Sequence, residues 1–558
     1  MSRFAGAHRI LIAICALALA GPAFSQEPTP EVERVMEGIR PQAIRAHMRF
    51  LADDLLEGRK TATRGHELAA KYVASAFERL GLEPTGTENT YFQPVPMLRM
   101  TMEESRTSIV LERKGRKTKL VYGKDYIGSF LAETESSVSA PLIYVGSGTT
   151  APELKHDDYA GVDARGKIVV ITIGAPPAFP PDQKAYYGER QVLIENARAH
   201  GAVGALFLVT PEFLQRVPWE LALRASRSMA LTWRDEAGRP RDRPAEIRGM
   251  AVLNPEGAAK LFAGAPHSLD EVFKAAAAGQ PLAFALPGRA TLRMVSRREP
   301  LESPNVAAVL RGSDPRLRDE YVVVSAHLDH IGVGDPVEGD ATYNGAYDNA
   351  SGIAVLLEMA DALTRLPTPP RRSVLFLAVT AEEVGLQGSD YFARHPTVPS
   401  GGIVANVNLD MFLMLYPLKD VIAFGAEHSS LDATLKRAAG RLGIAVSPDP
   451  VPEEVIFTRS DQYSFVQQGI PAVFLTVGQQ TTDPAIDAPA LWGQWMRERY
   501  HKPNDDMNQP IDFESGARFA QLNFLLTWMV AQEDQPPSWN PGDFFGETFG
   551  EKRGKARE

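Results

Sequence analysis

Tyr321-Val322-Val323-Val324-Ser325-Ala326-His327-Leu328-Asp329-His330 is an apolar run that ends in polar residues of metal-site type, His327 and Asp329 first among them. The run is apolar without alternation, as in a strand buried on both faces. Residues 373–379, 403–409 and 471–477 have the same texture. Residues 350–365 read as a helix, with Ile353, Leu356, Leu357, Ala360 and Leu363 on one side. This alternation after Asn305 predicts an α/β fold, a mixed, largely parallel sheet sandwiched by helices. Open sheets of this kind bind their ligands just beyond the carboxyl ends of the strands. His327 and Asp329, Glu382 and Glu383, and Asp410 all follow such runs.

Composition narrows the possibilities. At 558 residues and 44% hydrophobic content the chain has material for two or three cores. Its net charge of -10 becomes -12 without residues 1–25, which contribute Arg3 and Arg9 and no acid. Nucleic acid is therefore not an expected partner. Residues 1–25 read as a signal peptide: Arg3, His8 and Arg9 precede an apolar run too short to span a bilayer, and small residues near Ser25 suit cleavage. The expectation is an exported protein, periplasmic or extracellular, with no membrane attachment after cleavage. The single cysteine, Cys15, lies in that segment, so stability must come from packing and metal rather than disulfides.

The expected organisation is a signal peptide over 1–25, the start of a catalytic domain over 26–122, an insert over 123–290, the rest of the catalytic domain over 291–534, and a loosely held tail over 535–558. Helices are expected within 41–83, with Ile44, Met48 and Leu51 on one face and Ala69, Tyr72, Val73, Ala76 and Phe77 on another. The insert reads as strand-rich, with short strands at 141–145, 167–173, 205–209 and 229–233 and one helix at 190–200.

Five positions are of metal-ligand type: His327, Asp348, Glu383, Asp410 and His501. Singly, each has an ordinary role, Asp348 as a turn or cap residue and His501 as a surface residue. Together, two His and three carboxylates suit two zinc ions. With Asp348 bridging, one ion takes His327 and Asp410 and the other Glu383 and His501. Glu382 is then placed as general base toward a bridging hydroxide. Asp329 is expected to accept the second N–H of the His327 imidazole. Phe412, Leu413, Met414 and Phe465 are candidates for an apolar substrate pocket.

The runs at 325–330, 345–352, 381–389 and 408–411 resemble the di-zinc exopeptidases of metallopeptidase family 28 in order and residue type. The resemblance implies the zinc exopeptidase fold, the ligand set above and Glu382 as base, with a cis peptide after the bridging Asp348. Residues 158–161, 166–170 and 197–202 are similar to a protease-associated domain, which such peptidases carry as an insert. The family pattern is broken in two places: Ser460-Asp461-Gln462 stands where Ser-Asp-His is common, and Phe457 and Thr458 stand where a tyrosine often helps hold the oxyanion.

The expected activity is zinc-dependent aminopeptidase action on peptides. Alternatives are a carboxypeptidase or dipeptidase of the same fold, a glutaminyl cyclase-like acyltransferase, and a non-catalytic binding protein. A serine hydrolase is disfavoured, because the chain has no G-x-S-x-G elbow.

Overall fold

The computed structural model describes residues 27–228, 230–280 and 282–557, so the signal peptide and Cys15 lie outside the described residues. The apolar runs after Asn305 form the expected strands. Ser373–Val379 pairs in parallel with Tyr321–His327, which pairs in parallel with Ile403–Leu409, and that strand in turn with Ala472–Val477. Antiparallel strands flank this parallel centre: Ala283–Leu310 beside Ser373–Val379, and Asp420–Phe424 beside Ala472–Val477. The sheet is mixed and largely parallel, as the sequence predicts.

Both faces of the sheet are covered. Val322, Val324, Val374 and Phe376 pack into one core with residues of the helices Pro41–Leu51, Gly352–Thr364 and Phe513–Gln532. Val323, Leu375 and Leu377 point the other way, onto Phe392 and Phe465. Neighbouring side chains on a strand face opposite ways, and here both directions are dry, which is why the runs carry no polar alternation.

A second core belongs to the insert. Ile168–Thr172, Gly204–Leu208 and Met250–Leu253 form parallel pairs, with Glu135–Val145 parallel to the first of them. This core already includes Ile109 and Leu111 of Ser108–Arg113, upstream of the expected start at 123. Ala283–Leu310 joins the two bodies, pairing with Glu135–Val145 through its first half and with Phe92–Met102 through its second.

Three expectations need correction. The insert is less strand-dominated than predicted, since helices also occupy Pro181–Gly188, Pro211–Arg216, Trp219–Ser228, Pro255–Phe262 and Leu269–Ala277. Their start signals are in the sequence: Thr210-Pro211, Asn254-Pro255 and the Ser268/Glu271 capping box. The strand Ala230–Trp233 pairs with Phe92–Met102, so it extends the catalytic sheet. Finally, the tail is not loose: Phe544–Arg557 is a helix, and Phe545 and Phe549 bury in a core with Phe457, Tyr463 and Phe474. Polar composition suggested a free end, but its aromatic residues have a surface to cover.

Among the described residues, no helix is long and apolar enough to cross a membrane.

Candidate metal centre and active site

The predicted residues converge at one edge of the catalytic sheet. His327 ends its strand, Glu382 and Glu383 follow Ser373–Val379, and Asp410 follows Ile403–Leu409. Asp348 sits in the turn that leads into Gly352–Thr364, with a cis peptide between Asp348 and Asn349. The buried Asp505 holds this turn by accepting the backbone N–H groups of Tyr347 and Asp348, each at 3.1 Å. The buried Arg59 ties the turn to the histidine loop, donating to the carbonyls of Leu328 at 3.0 Å and Gly345 at 3.0 Å.

Asp348 divides its carboxylate between two clusters. Oδ1 lies 3.2 Å from His327 Nε2, which is 3.1 Å from Asp410 Oδ1. Oδ2 lies 3.1 Å from His501 Nε2, which is 3.3 Å from Glu383 Oε2. His330 also enters the second cluster, with Nδ1 2.6 Å from Glu383 Oε1 and 3.8 Å from Asp348 Oδ2. The five residues singled out in the sequence therefore meet, and His330 is the addition. It stands within the quoted run, three residues after His327 and one past Asp329.

The donor set fits divalent zinc. His327, Asp348 and Asp410, and likewise His330, Asp348 and Glu383, each bring nitrogen and carboxylate oxygen within 4.8 Å of one another. Imidazole and carboxylate are the ligand types zinc accepts, and a shared Asp348 serves both sets. The electrostatics agree. Burial opposes ionisation of Asp348, yet His330, His327 and His501 hold its carboxyl well below the usual range. Burial, with the nearby Glu383, Asp410 and Asp461 carboxylates, pushes Glu382 well above its ordinary value. Burial, with Asp410 and Asp329, pushes Asp461 up to about 7. Crowded acids of this kind call for positive charge among them.

Asp329 plays a different part from the one expected. The second ring nitrogen of His327, Nδ1, meets the backbone carbonyl of Asp329 at 3.1 Å, not its carboxylate. The carboxylate instead accepts the Thr61 hydroxyl at 2.9 Å and the Glu382 N–H at 3.1 Å. The turn past the strand swings the side chain away from the imidazole, so Asp329 fixes the backbone of Glu382. Ser460 supports Asp410 in a similar way, donating to Oδ2 at 2.6 Å.

A cavity of about 260 Å³ opens over the cluster, lined by His327, Asp348, Glu382, Asp410 and His501. Its apolar wall comes from Met411, Ile422, Phe424, Ile456, Phe474, Trp492 and Met496. Phe412, Met414 and Phe465 are not part of it. All three are 0% exposed; Phe412 stacks on Phe519 at 4.2 Å, and Phe465 packs near Phe392. Leu413 is buried in the same core as Phe412 and Met414. Met411, at φ 40°, turns the chain so that its own side chain lines the cavity while the residues after it enter the core. Of the unusual positions, Gln462 is buried and bridges Asn408 at 2.9 Å and the Phe457 carbonyl at 2.7 Å, away from both clusters. Tyr500 lines the cavity and stacks on His501 at 3.9 Å.

Residues 305–527 match the family described as Peptidase family M28. This M28-like region spans 223 of the 558 residues. Among curated proteins, the chain is 30% identical over 213 residues to a probable leucine aminopeptidase 2 of Aspergillus fumigatus, covering 36% of this chain and 39% of that protein. It is 34% identical over 268 residues to a probable zinc metalloprotease of Pyrenophora tritici-repentis, covering 43% and 59%. The chain thus spans between 39% and 59% of the length of these two relatives. The solved structure of an aminopeptidase from Aneurinibacillus sp. strain AM-1 covers 90% of this chain and 96% of its own, at a TM-score of 0.50 and 20% identity. That likeness extends the shared fold beyond residues 305–527 to most of the chain.

Proposed function

We propose that the protein is an exported, zinc-dependent aminopeptidase that hydrolyses N-terminal residues from peptides. The observation that carries this reading is the division of Asp348 between two imidazole–carboxylate clusters, beside Glu382 and under an apolar cavity. His327, Asp348 and Asp410 would hold one zinc ion, and Asp348, Glu383 and His501 the other. His501 is preferred to His330 in the second set because it lies closer to Asp348 and lines the cavity, whereas His330 is buried behind Glu383. When bound, such ions polarise a carbonyl and acidify water.

The chain's own residues do the rest. Glu382 takes the proton of the attacking water as its oxygen bonds to the peptide carbonyl carbon, and delivers it to the leaving amine nitrogen as the C–N bond breaks. Asp329 holds the Glu382 backbone, and Ser460 orients Asp410. The apolar wall around Phe424, Phe474 and Trp492 receives the substrate side chain. Arg459 also lines this cavity but is paired with Glu454 at 2.8 Å on the surface, which gives a carboxypeptidase reading little to grip a free carboxylate. The insert is read as a protease-associated domain that limits which peptides enter; contacts such as Trp233 Nε1 to Asp390 at 2.6 Å support the seating of its Ala230–Trp233 strand against the M28-like region.

The test is hydrolysis of aminoacyl, N-blocked and C-terminal dipeptide substrates by the purified protein, with metal analysis. Cleavage of the aminoacyl substrate with two zinc ions per chain is the expected outcome. Cleavage of only the blocked or C-terminal substrates overturns the aminopeptidase assignment.

A further inference from the structure

The inserted domain holds a cavity that the peptidase reading does not use. It measures about 280 Å³ and lies between the sheet and the helices Pro211–Arg216 and Trp219–Ser228. Ile173 and Val209, in its wall, directly follow the parallel strands Ile168–Thr172 and Gly204–Leu208. This is the position at which open α/β sheets take ligands.

The helical roof is unusually poor in core contacts. Phe213, Leu214, Val217 and Trp219 are only half-buried, and none of them packs into the insert's core. Their apolar surface faces the cavity instead.

Two arginines complete the lining, and no acid does among the described residues. Arg190 lies over the Phe207 ring at 5.6 Å, and neither it nor Arg243 forms an ion pair among the described residues. Arg243 donates one hydrogen bond to the Asp242 carbonyl at 3.2 Å, while its Nε is buried without a partner. Burial, with the charges of Arg190 and Arg241 close by, lowers the proton affinity of Arg243 against the opposing pull of Asp242. The Asp242 carboxylate is paired with Arg241 instead, so two neighbouring guanidinium groups have no carboxylate in hydrogen-bond reach, and an anion would complete the arrangement.

We propose that this cavity is a second binding site, one that takes a carboxylate carried on a small apolar body, with Arg190 and Arg243 on the carboxylate and the 211–228 helices on the apolar part. The volume sits near the lower limit of small-molecule sites, about 300 Å³, which suits one apolar side chain or a short acyl chain. A short fatty acid and the C-terminal residue of a peptide share this chemistry.

The experiment is calorimetry on the intact protein with two matched pairs: octanoate against octanol, and N-acetyl-leucyl-phenylalanine against its amide. At least one acid is expected to bind about ten-fold or more tightly than its neutral partner, as about 1.4 kcal/mol from a charge-assisted contact requires. The R190Q/R243Q double variant is expected to lose that preference while keeping its peptidase activity. Binding of octanoate alone assigns the site to fatty acids, and binding of the peptide acid alone assigns it to peptide C-termini. If neither acid binds, if each neutral partner binds equally well, or if a folded double variant retains the preference, the proposal is overturned. Should the double variant not fold, the fluorescence change on acid binding decides. It is expected to disappear in Trp219→Phe, and its persistence there places the ligand elsewhere.

Discussion

The M28-like region and the inserted domain both end parallel strands at a ligand-sized opening, yet they fill it with opposite chemistry. In the first, the strand ends deliver His327, Glu382, Glu383 and Asp410 to one site with two clusters. In the second, Ile173 and Val209 lead into an apolar chamber with Arg190 and Arg243. The backbone arrangement supplies the same place twice. What each place can bind is decided by the few side chains that follow the strands.

Substitutions test how far this contrast holds. The largest expected effect is that of Asp348→Ala, which removes the carboxylate shared by both clusters. Loss of both metal ions and of measurable activity is expected in metal analysis and assay, and retention of two ions would break the account of a shared ligand. Glu382→Ala should keep its metal and lose about 10²- to 10⁴-fold in kcat/KM. Full activity in that variant removes Glu382 from the mechanism.

Phe412→Ala probes the corrected pocket. Its ring is core, so denaturant unfolding should show a loss of about 3–5 kcal/mol while the residual folded enzyme keeps its substrate preference. Trp492→Ala, at the cavity wall, should do the reverse and alter KM for apolar residues. Ser460→Ala removes the hydrogen bond that orients Asp410, and metal affinity should fall about 10- to 100-fold.

The smallest effect belongs to the inserted domain. Burial pushes Glu189, which accepts a hydrogen bond from Tyr463 of the M28-like region, from 4.5 up to about 7. A raised folded value means the folded state binds the extra proton, so this contribution to stability is fully present below about 4.5 and is lost as pH rises through about 7. Thermal melts across that window should therefore show wild type falling relative to Glu189→Gln. Parallel profiles would show that this contact between the two domains carries no linked proton.

Much of the catalytic side was legible because local rules sufficed. Strands buried on both faces declare themselves as unbroken apolar runs, and a strand's end places the next polar residue at the sheet edge, so His327, Glu383 and Asp410 could be named with Asp348 and His501. The inserted domain was harder. Its helices are only six to ten residues long, so few apolar positions repeat within each, and their caps carry much of the signal.

The chain's own order of residues determined the sheet, the edge at which chemistry collects and the identity of the clustered acids and imidazoles, since all of these follow from local periodicity and residue type. Tertiary structure decided the rest. It turned the Asp329 carboxylate toward Glu382, brought His330 against Glu383, sent Phe412 and Met414 into the core and left Met411 to line the cavity instead. Each of these depends on a loop dihedral or on a partner distant in sequence, such as Thr61 for Asp329 or Phe519 for Phe412. Side-chain direction after a turn is fixed by what the fold packs against it, and no local pattern records that.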